Sequence, residues 1–520
     1  MKGAVAAGHP LTAEAGARTL EQGGNAVDAC VSAAFMAWIA ESPLTGPGAG
    51  GFMLVHRARD AATRLLDFFV SIPGKGLGPG TREMDPIDVD FDGQTTQTFL
   101  VGAGSCAVPG SVAGLFQAHR EFGRLPWREL IAPASDRARA GVALTEQQAY
   151  LHAILDPILR REQLGREIYG ADGPLEPGER LVMRDLADTL ELLADGGADV
   201  FYRGELAQRI VSCVREGGGR LTADDLAAYR VIHRRPLRVG YRELEFVTNG
   251  PPSAGGVLIA FALRVLDRLG RVGPPGSLRS IATLVEVMRE AARARGGRFV
   301  ADLHRGGAAA RLLSDGSVES VAQAVRSALR EPVFERRGLP STTQVSVIDA
   351  DGNAASLSTS TGSGSGVVVA GTGINLNNML GEIDLNPAGR APPPGRRLTS
   401  MMAPSIVLED GRPRLVVGSA GSERLRGAIL QVVLNVVDHG LGLKDAIEVP
   451  RVHLDGETVH LEGGGPGEVA DGLERQGYKV VRWQERNLFF GGAAAVSARG
   501  ALEFEAAGDP RRGGAGLVVC

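Results

Sequence analysis

The chain has 520 residues, of which 44% are hydrophobic and 22% are charged. This balance excludes an intrinsically disordered chain and leaves enough apolar residues for one large or two medium domains. The net charge of −4 argues against a general nucleic-acid binder. The 72 glycines and 28 prolines exceed the usual share, but they follow no fixed period, which excludes collagen. The excess of glycine therefore needs another explanation.

The cysteines and apolar segments bear on the cellular compartment. Four cysteines are widely spaced and include no CxxC pair, so we expect neither a zinc site nor a disulfide framework. The apolar stretch at the N-terminus is too short and interrupted for a signal peptide. The longest apolar region, residues 29–40, predicts a buried helix and not a membrane span. We therefore expect a cytoplasmic protein without a membrane partner.

The first 330 residues predict mainly helices, separated by short strands next to glycines. Residues 12–22 predict a helix that is capped by Thr12 and ended by Gly23 and Gly24. Strands are predicted at residues 51–57, 64–70 and 237–248. The other predicted helices of this part are residues 25–41, 110–122, 146–159, 185–194, 205–216, 257–269, 281–294 and 318–329.

Beyond Pro340 the pattern changes to strands. Residues 342–349 and 354–361 predict a hairpin, and residues 405–408 and 415–418 predict another. A helix is predicted at residues 425–437, followed by strands around Val480 and Leu502. The basic segment 336–341 has the composition of an exposed linker. Together these elements predict mixed layers of helix and sheet, the α+β class.

The common catalytic and nucleotide-binding motifs are missing. Residues 46–51 satisfy GxGxxG, but a predicted helix precedes them and a strand follows, the reverse of a dinucleotide-binding unit. The chain has no nucleotide phosphate loop, no HExxH motif and no GxSxG elbow in register. Ser363 and Ser365, near such an elbow, are better explained as loop residues. We therefore expect neither a cofactor nor a metal.

One further chemistry uses a threonine at a new N-terminus. The hydroxyl of such a threonine is activated by its own α-amino group, once the preceding peptide bond is cut. The residue must open a strand, and Thr342 does so in the sequence STTQVSV at residues 341–347. An ordinary strand that begins with two β-branched residues gives the same pattern. Periodicity alone favours the ordinary strand.

The sequence around Thr342 resembles the γ-glutamyltransferase family of N-terminal-nucleophile hydrolases. The resemblance rests on TTQVSVID at residues 342–349, followed by DGNA at 351–354. Further short motifs match in order along nearly the whole chain, at residues 23–29, 48–53, 108–114, 251–256, 376–378, 399–401, 418–421 and 509–512. Each motif is short, but their order and spacing together are specific.

The resemblance implies a fold, a processing step and a set of catalytic residues. The fold would be a four-layer αββα sandwich, made as a precursor that cleaves itself between Ser341 and Thr342. The products would be a large chain, residues 1–341, and a small chain, residues 342–520, that begins with the nucleophile Thr342. The backbone N–H groups of Gly421 and Ser422 would form the oxyanion hole, where the family usually has glycine at the second position. Ser360 would bond the nucleophile in place of the family's threonine.

The donor-binding charge departs from the family pattern. The family places an arginine after the Leu-Asp-Phe strand to bind the α-carboxylate of the donor, and this chain has Phe69 there. Loss of a bidentate arginine typically costs several kcal/mol of binding energy. Arg396 or Arg397 is a candidate replacement, although both also fit solvated loop arginines. The segment 386–397 is short where some relatives carry a lid, which suggests an open site.

The other donor-binding positions are partly changed. The family asparagine after the Ser360 position corresponds to Gly362, or to Thr361 if a gap is placed. Glu382 stands where the family has the aspartate that binds the donor's α-amino group. Thr399 and Ser400 match the family's pair of hydroxyl groups near the carboxylate.

Three classes of function remain open. The first is breakdown of glutathione or another γ-glutamyl amide. The second is a repurposed acylase with a different donor, for example in a secondary-metabolite pathway such as an antibiotic route, where some relatives are associated with breaking a carbon–carbon bond. The third is a scaffold without activity. The expected substrate is a small amide or peptide-like molecule, and the expected protein partners are the large and small chains of one precursor.

Overall fold

Two large stacked sheets organise the protein. The computed structural model describes residues 1–78, 80, 82–91, 95–329, 342–382, 393–500 and 503–520. The predicted linker 336–341 with Ser341, the strand position Leu502 and most of the segment 386–397 therefore lie outside the described residues.

The strands, in chain order, are β1 (Gly3–Ala7), β2 (Gly50–Arg57), β3 (Ala62–Phe68), β4 (Asp85–Phe91), β5 (Thr95–Val101), β6 (Val142–Ala143), β7 (Arg180–Leu181), β8 (Ile232–Arg234), β9 (Leu237–Tyr241), β10 (Leu244–Thr248), β11 (Thr343–Asp349), β12 (Ala354–Ser360), β13 (Val368–Val369), β14 (Ile374–Asn375), β15 (Ser405–Glu409), β16 (Arg412–Ala420), β17 (Val452–Asp455), β18 (Thr458–Leu461), β19 (Lys479–Arg482), β20 (Gly492–Arg499), β21 (Glu503–Gly508) and β22 (Ala515–Val519).

The α-helices, in chain order, are α1 (Pro10–Glu21), α2 (Ala26–Ala40), α3 (Ser111–Phe122), α4 (Trp127–Ala140), α5 (Glu146–Leu159), α6 (Gln163–Tyr169), α7 (Arg184–Gly196), α8 (Asp199–Tyr202), α9 (Glu205–Glu216), α10 (Ala223–Ala227), α11 (Ala254–Leu269), α12 (Leu278–Arg293), α13 (Phe299–Arg305), α14 (Ala308–Leu312), α15 (Asp315–Ala328), α16 (Ser422–Val437), α17 (Leu443–Glu448) and α18 (Gly467–Arg475).

The large sheets lie face to face between two layers of helices. Among the described residues, one sheet has the strand order β22-β1-β11-β12-β2-β3-β8 and the other β21-β20-β16-β15-β10-β9. Strands β1, β11 and β12 contact β16 and β20 across the interface between the sheets. Helices α1, α2 and α3 cover the outer face of the first sheet, whereas α11, α16 and α17 cover the second. This arrangement confirms the expected four-layer αββα sandwich of the α+β class.

Alternating side chains explain why the first sheet is buried on both faces. In β2, Phe52 and Leu54 belong to the core that contains the sheet interface, and Met53 and Val55 belong to the core beneath α1 and α2. Successive side chains of a strand point to opposite faces, so such a strand must be apolar throughout. The near-continuous apolar pattern of these strands follows from this burial.

Two local predictions are wrong. His9, and not Thr12, caps α1, because the His9 Nδ1 accepts the N–H of Leu11 at 3.1 Å. The predicted strand 237–248 is a hairpin of β9 and β10, which turns at Arg242 with a left-handed φ of 55°. In both cases, a polar residue that ends a helix or strand looks the same in the sequence as a polar residue inside that element.

The predicted hairpin after Thr342 is confirmed. Strands β11 and β12 pair antiparallel with Thr343 opposite Thr359. The helix predicted at residues 25–41 is α2, and Asn25 and Asp28 form a reciprocal capping box at its start. No helix in the described part of the chain is long and apolar enough to cross a membrane. The cytoplasmic location stays a prediction.

A buried ion network fixes the C-terminal end of the second sheet. The Arg511 guanidinium donates to Glu462 Oε1 at 2.7 Å, to Asp509 Oδ1 at 3.1 Å, and to the carbonyl oxygen of Ile447 at 2.9 Å. Arg451 pairs with the other oxygen of Asp509 at 2.7 Å. Burial by itself would raise the pKa of Asp509, but the two arginines hold it below its usual value. The planar fork of Arg511 satisfies several acceptors from one position.

We expect Arg511→Lys to lower the free energy of unfolding by about 3 kcal/mol, because an ammonium group keeps the charge but cannot reach the same acceptors. Denaturant unfolding of the purified protein measures this change. Arg499→Lys is the control, since Arg499 is the exposed last residue of β20. Equal loss of stability in both variants would contradict a specific role for the Arg511 fork.

Candidate active site

Thr342 lies at one end of the first sheet, immediately before the inner strand β11. The next residue, Thr343, pairs with Thr359, so Thr342 comes opposite Ser360 at the end of β12. Both side chains are buried, with 4% and 2% of their surface exposed. The Ser360 hydroxyl oxygen accepts the N–H of Gly362 at 2.8 Å, which holds this side chain in place. The predicted nucleophile and its predicted hydroxyl neighbour are thus brought together.

The predicted oxyanion hole lies at the start of a long helix. Strand β16 stacks on β11 and ends at Ala420, which lines a cavity together with Thr342. Gly421 then turns with a φ of 109°, a conformation that favours glycine, and α16 begins at Ser422. The first N–H groups of a helix have no partner within it and carry partial positive charge. Backbone donors are therefore available directly after Ala420, which lines the same cavity as Thr342.

The glycine-rich loop at residues 48–53 lies between Ser360 and the chain that follows Phe69. Gly50 pairs with Ser360 in the sheet. On its other side, a Cβ atom built on Gly50 would lie only 2.7 Å from the backbone nitrogen of Val70. Any larger residue would push the chain after β3 away from the centre. This glycine is therefore explained by the close approach of the backbone at Val70.

The side chain of Phe69 belongs to the hydrophobic core and cannot bind a charged group. Its ring is buried and stacks on Phe52, with ring centroids 5.5 Å apart and an angle of 23° between the planes. Its carbonyl oxygen accepts the hydroxyl of Tyr229 at 2.8 Å. The residue at this position therefore fills the core and supplies no cation.

Arg397 is an internal ion-pair partner and not a solvated loop residue. Its Nε donates to Asp67 Oδ1 at 3.2 Å, and its guanidinium carbon lies 4.4 Å from the centre of the Tyr229 ring. Only 7% of the surface of Arg397 is exposed. Arg234 Nε donates to the other oxygen of Asp67 at 2.6 Å. The expectation of a solvated side chain is wrong for Arg397, because Asp67 compensates the charge inside the protein.

Glu382 lies beside the turn that follows Ser360. It is 3% exposed, and a Cβ atom built on Gly362 would lie 2.8 Å from its Oε1. The hydroxyl of Thr361 donates to the carbonyl oxygen of Pro43 at 2.6 Å, so this hydrogen is already used. Gly362 is therefore the position that faces Glu382. Neither Gly362 nor Thr361, the two possible matches for the family asparagine, has an amide side chain.

Thr399 and Ser400 belong to the donor wall, the segment that is hydrogen-bonded to the chain after Phe69. The N–H of Leu398 donates to the carbonyl oxygen of Val70 at 3.2 Å, which aligns this segment with the chain after β3. The Ser400 carbonyl accepts N–H groups of Ala254 and Gly255 at the start of α11. Both hydroxyl-bearing residues are buried, at 4% and 1% exposure. The motif at residues 251–256 therefore supports the predicted hydroxyl pair.

The cavity beside Thr342 contains a carboxyl group that sequence reasoning missed. Glu41 lines it together with His9, Gln148 and Arg512. Burial lowers the pKa of His9 to about 4, so its ring is neutral. The only sequence signal for Glu41 was a charged residue directly after the apolar helix α2. Among the described residues, no group of three or more His, Cys, Asp or Glu side chains is arranged to hold a metal.

Glu41 is buried, and its hydrogen bond to Thr12 and the nearby charge of Arg512 only partly compensate for that burial. Its Oε1 accepts the hydroxyl of Thr12 at 2.8 Å, at the position first predicted to be a helix cap. Burial raises the pKa of Glu41 to about 7, against the opposing effects of the Thr12 hydrogen bond and the Arg512 charge. Between about pH 4.5 and pH 7, the Glu41 carboxyl group is therefore protonated in the folded protein and ionised in the unfolded chain.

We expect stability to fall as pH rises from about 4.5 to 7 because of this group. Glu41→Gln cannot ionise, so its stability relative to the parent protein should increase by about 3 kcal/mol between pH 4.5 and pH 8.5. Denaturant unfolding of both proteins at the two pH values tests this. Glu14→Gln on the exposed face of α1 is the control and should show no such trend. A pH-independent difference for Glu41→Gln would refute the buried proton.

The chain matches the family model of gamma-glutamyltranspeptidase over residues 12–519. It is 33% identical to a glutathione hydrolase proenzyme of Pseudomonas aeruginosa, over 99% of this chain and 94% of that protein. It is also 33% identical to an acylase ACY 1 proenzyme of a Pseudomonas species, over 92% of this chain and 88% of that protein. The crystal structure of cephalosporin acylase from Bacillus halodurans superimposes with a TM-score of 0.87 at 26% identity, covering 99% of this chain and 95% of that one.

These matches extend over both large sheets and include the hairpin at Thr342 and the helix start at Gly421. The relatives that match are named either glutathione hydrolase or acylase, and both names denote enzymes. The chain is therefore an enzyme of the N-terminal-nucleophile hydrolase type, and it belongs to the gamma-glutamyltranspeptidase family.

Proposed function

We propose that this protein is a self-processing amide hydrolase or acyltransferase whose nucleophile is Thr342 and whose donor specificity differs from that of γ-glutamyl enzymes. Cleavage between Ser341 and Thr342 would give a large chain of residues 1–341 and a small chain of residues 342–520. The observation that carries the proposal is the buried position of Thr342, opposite Ser360 and beside the start of α16. The proenzyme names of its relatives support a processed precursor.

The processing step uses the threonine hydroxyl against the preceding peptide bond. Thr342 Oγ attacks the carbonyl carbon of Ser341, an ester bond forms, and the C–N bond breaks as the nitrogen takes up a proton. Water then hydrolyses the ester, which leaves a carboxylate on Ser341 and a free α-amino group on Thr342. Self-cleavage thus creates the base that the later reaction needs.

Turnover repeats this chemistry on an external amide. The α-amino group of Thr342 accepts the hydroxyl proton while Oγ attacks the donor carbonyl, and the N–H groups of Gly421 and Ser422 stabilise the oxyanion. The leaving amine takes the proton, and the acyl group stays on Oγ as an ester. Water releases it as an acid, whereas a second amine releases it as a new amide.

The walls of the site support a changed donor. Phe69 and the Thr361–Gly362 turn lack the arginine and the amide that the family resemblance assigns to γ-glutamyl binding. Glu382, Thr399 and Ser400 keep polar groups at the corresponding positions. An acylase that accepts a donor other than γ-glutamyl is therefore the better candidate, and glutathione breakdown is the second. A non-catalytic scaffold accounts poorly for buried hydroxyl groups gathered around Thr342.

We expect mass spectrometry of the purified protein to find fragments 1–341 and 342–520. Thr342→Ala should remain one intact chain and be inactive, because neither the attacking hydroxyl nor the new amino group forms. Thr343→Ala is the matched control, since it changes the adjacent threonine and leaves the attacking group in place. Cleavage in Thr342→Ala, or its loss only in Thr343→Ala, would refute the assignment.

The changed donor is tested with γ-glutamyl-p-nitroanilide and a set of acyl p-nitroanilides that lack the α-amino group. We expect Thr342-dependent release that is slower for γ-glutamyl than for the preferred acyl group, by about tenfold or more, because the Thr361–Gly362 turn lacks the amide that the family resemblance assigns to γ-glutamyl binding. Fastest release from the γ-glutamyl donor would favour glutathione breakdown instead.

A further inference from the structure

Arg396 lies in the donor wall, one residue before Arg397. Its carbonyl oxygen accepts the N–H of Ile72 at 2.8 Å, and Leu398 donates to Val70 two residues later. The segment that carries Arg396 therefore runs beside the chain that follows Phe69. Unlike Arg397, Arg396 is half-buried and does not contact Asp67. Within the described parts of the chain, its two Nη atoms form no hydrogen bond or ion pair with other residues.

A histidine connects Arg396 to the hydroxyl pair. Arg396 Nε lies 3.3 Å from His304 Nδ1, and His304 Nε2 lies 3.1 Å from Thr399 Oγ1. His304 belongs to α13, so this helix and the segment of residues 396–399 meet at this point. None of these contacts involves Phe69 or Glu382.

The chemistry of arginine assigns the hydrogens in this chain of contacts. A guanidinium group can only donate, so His304 Nδ1 must accept and its hydrogen must be on Nε2. Nε2–H then donates to the oxygen of Thr399. Burial and the charges of Arg396 and Arg234 lower the pKa of His304 to about 4, which keeps the ring neutral and this tautomer in place.

The same reasoning applies to the neighbouring hydroxyl. Ser400 Oγ accepts the N–H of Met402 at 3.1 Å. Each of the two hydroxyl oxygens is thus an acceptor for a protein donor, so each hydroxyl hydrogen remains available for a ligand. Two such O–H donors in the segment that carries Arg396 match a carboxylate, which only accepts hydrogen bonds when ionised.

We propose that His304 and Arg396 are positioning residues that orient the Thr399 hydroxyl to bind the carboxylate of an acyl donor. They replace, from another segment, part of the function of the arginine that is absent at position 69. The donor class is an acyl chain that ends in a carboxylate. This inference rests on the proposed function, because the wall becomes a donor site only if Thr342 is the nucleophile.

Two probes of matched shape separate charge recognition from general damage. Glutaryl-p-nitroanilide carries a terminal carboxylate, and 4-carbamoylbutyryl-p-nitroanilide replaces it by a neutral amide. We expect His304→Leu and Arg396→Met to raise KM for the glutaryl probe about tenfold, with kcat within twofold, and to change KM for the neutral probe little. His304→Gln can both accept from Arg396 and donate to Thr399, so it should restore most of the affinity.

Arg305→Met, at the exposed end of the same helix, is the control and should leave both KM values unchanged. Equal KM changes for both probes, or an effect on kcat alone, would overturn the inference. If His304→Leu does not fold, Arg396→Met gives the same comparison, with His304→Gln as the variant that should stay close to the parent protein.

Calorimetric binding of glutarate separates this inference from the proposed function. If the protein shows no Thr342-dependent release, the proposed function fails, but glutarate affinity still reports on the wall. We expect His304→Leu to weaken glutarate binding about tenfold relative to the parent protein and to Arg305→Met. The same dissociation constant in all three proteins would overturn the role of His304.

Discussion

The pairing of β11 between β1 and β12 is the constraint on which the rest of the site depends. It places Thr342 at the end of a central strand, where residues from the first and last parts of the chain meet. Because the sheet is covered on both faces, Thr342 and Ser360 are buried, and Thr342 lines a cavity at this end of the sheet. A hydroxyl group in such a place has a defined orientation and few competing water molecules.

Polar contacts between the sheets hold this strand in one alignment. Gln344 Oε1 accepts the hydroxyl of Ser358 at 2.6 Å, and its Nε2 donates to Ser356 at 3.0 Å. Ser346 donates across the interface to the carbonyl oxygen of Ala494 at 2.9 Å. A shift of one residue would leave these buried groups unpaired, which costs more than a loss of apolar contact. The polar layer therefore defines which backbone N–H groups of β16 and α16 come beside Thr342.

Two consecutive arginines show how the donor wall divides structural and recognition roles. Neighbouring side chains of an extended segment point to opposite sides. Arg397 points inward to Asp67 and Tyr229 and holds the wall against the first sheet. Arg396 contacts His304 and, through it, Thr399. The backbone part of the site can therefore be retained while side chains on the wall change the donor.

Local sequence patterns by themselves determined the elements that form this centre. The alternation and turn after Thr342 predicted the β11–β12 hairpin, and the apolar segment from Asn25 predicted α2. These two features depend on residues a few positions apart, so periodicity and turn chemistry are sufficient to predict them. The αββα sandwich was implied by the family resemblance of the ordered motifs. Gly50 and Gly421 were recognisable as parts of motifs, and the structure shows the close approach of Val70 at Gly50 and the left-handed turn at Gly421.

Only the tertiary structure decided how the charged and aromatic groups are used. Asp67 and Arg397 are 330 positions apart, and His304 and Arg396 are 92 apart, so no local pattern records either contact. The same holds for the Phe69 ring against Phe52 and for Glu41, whose raised pKa comes from burial by several segments. Sequence determines which groups are present, whereas the solvent exposure and charge partners that set their chemistry exist only after the layers pack.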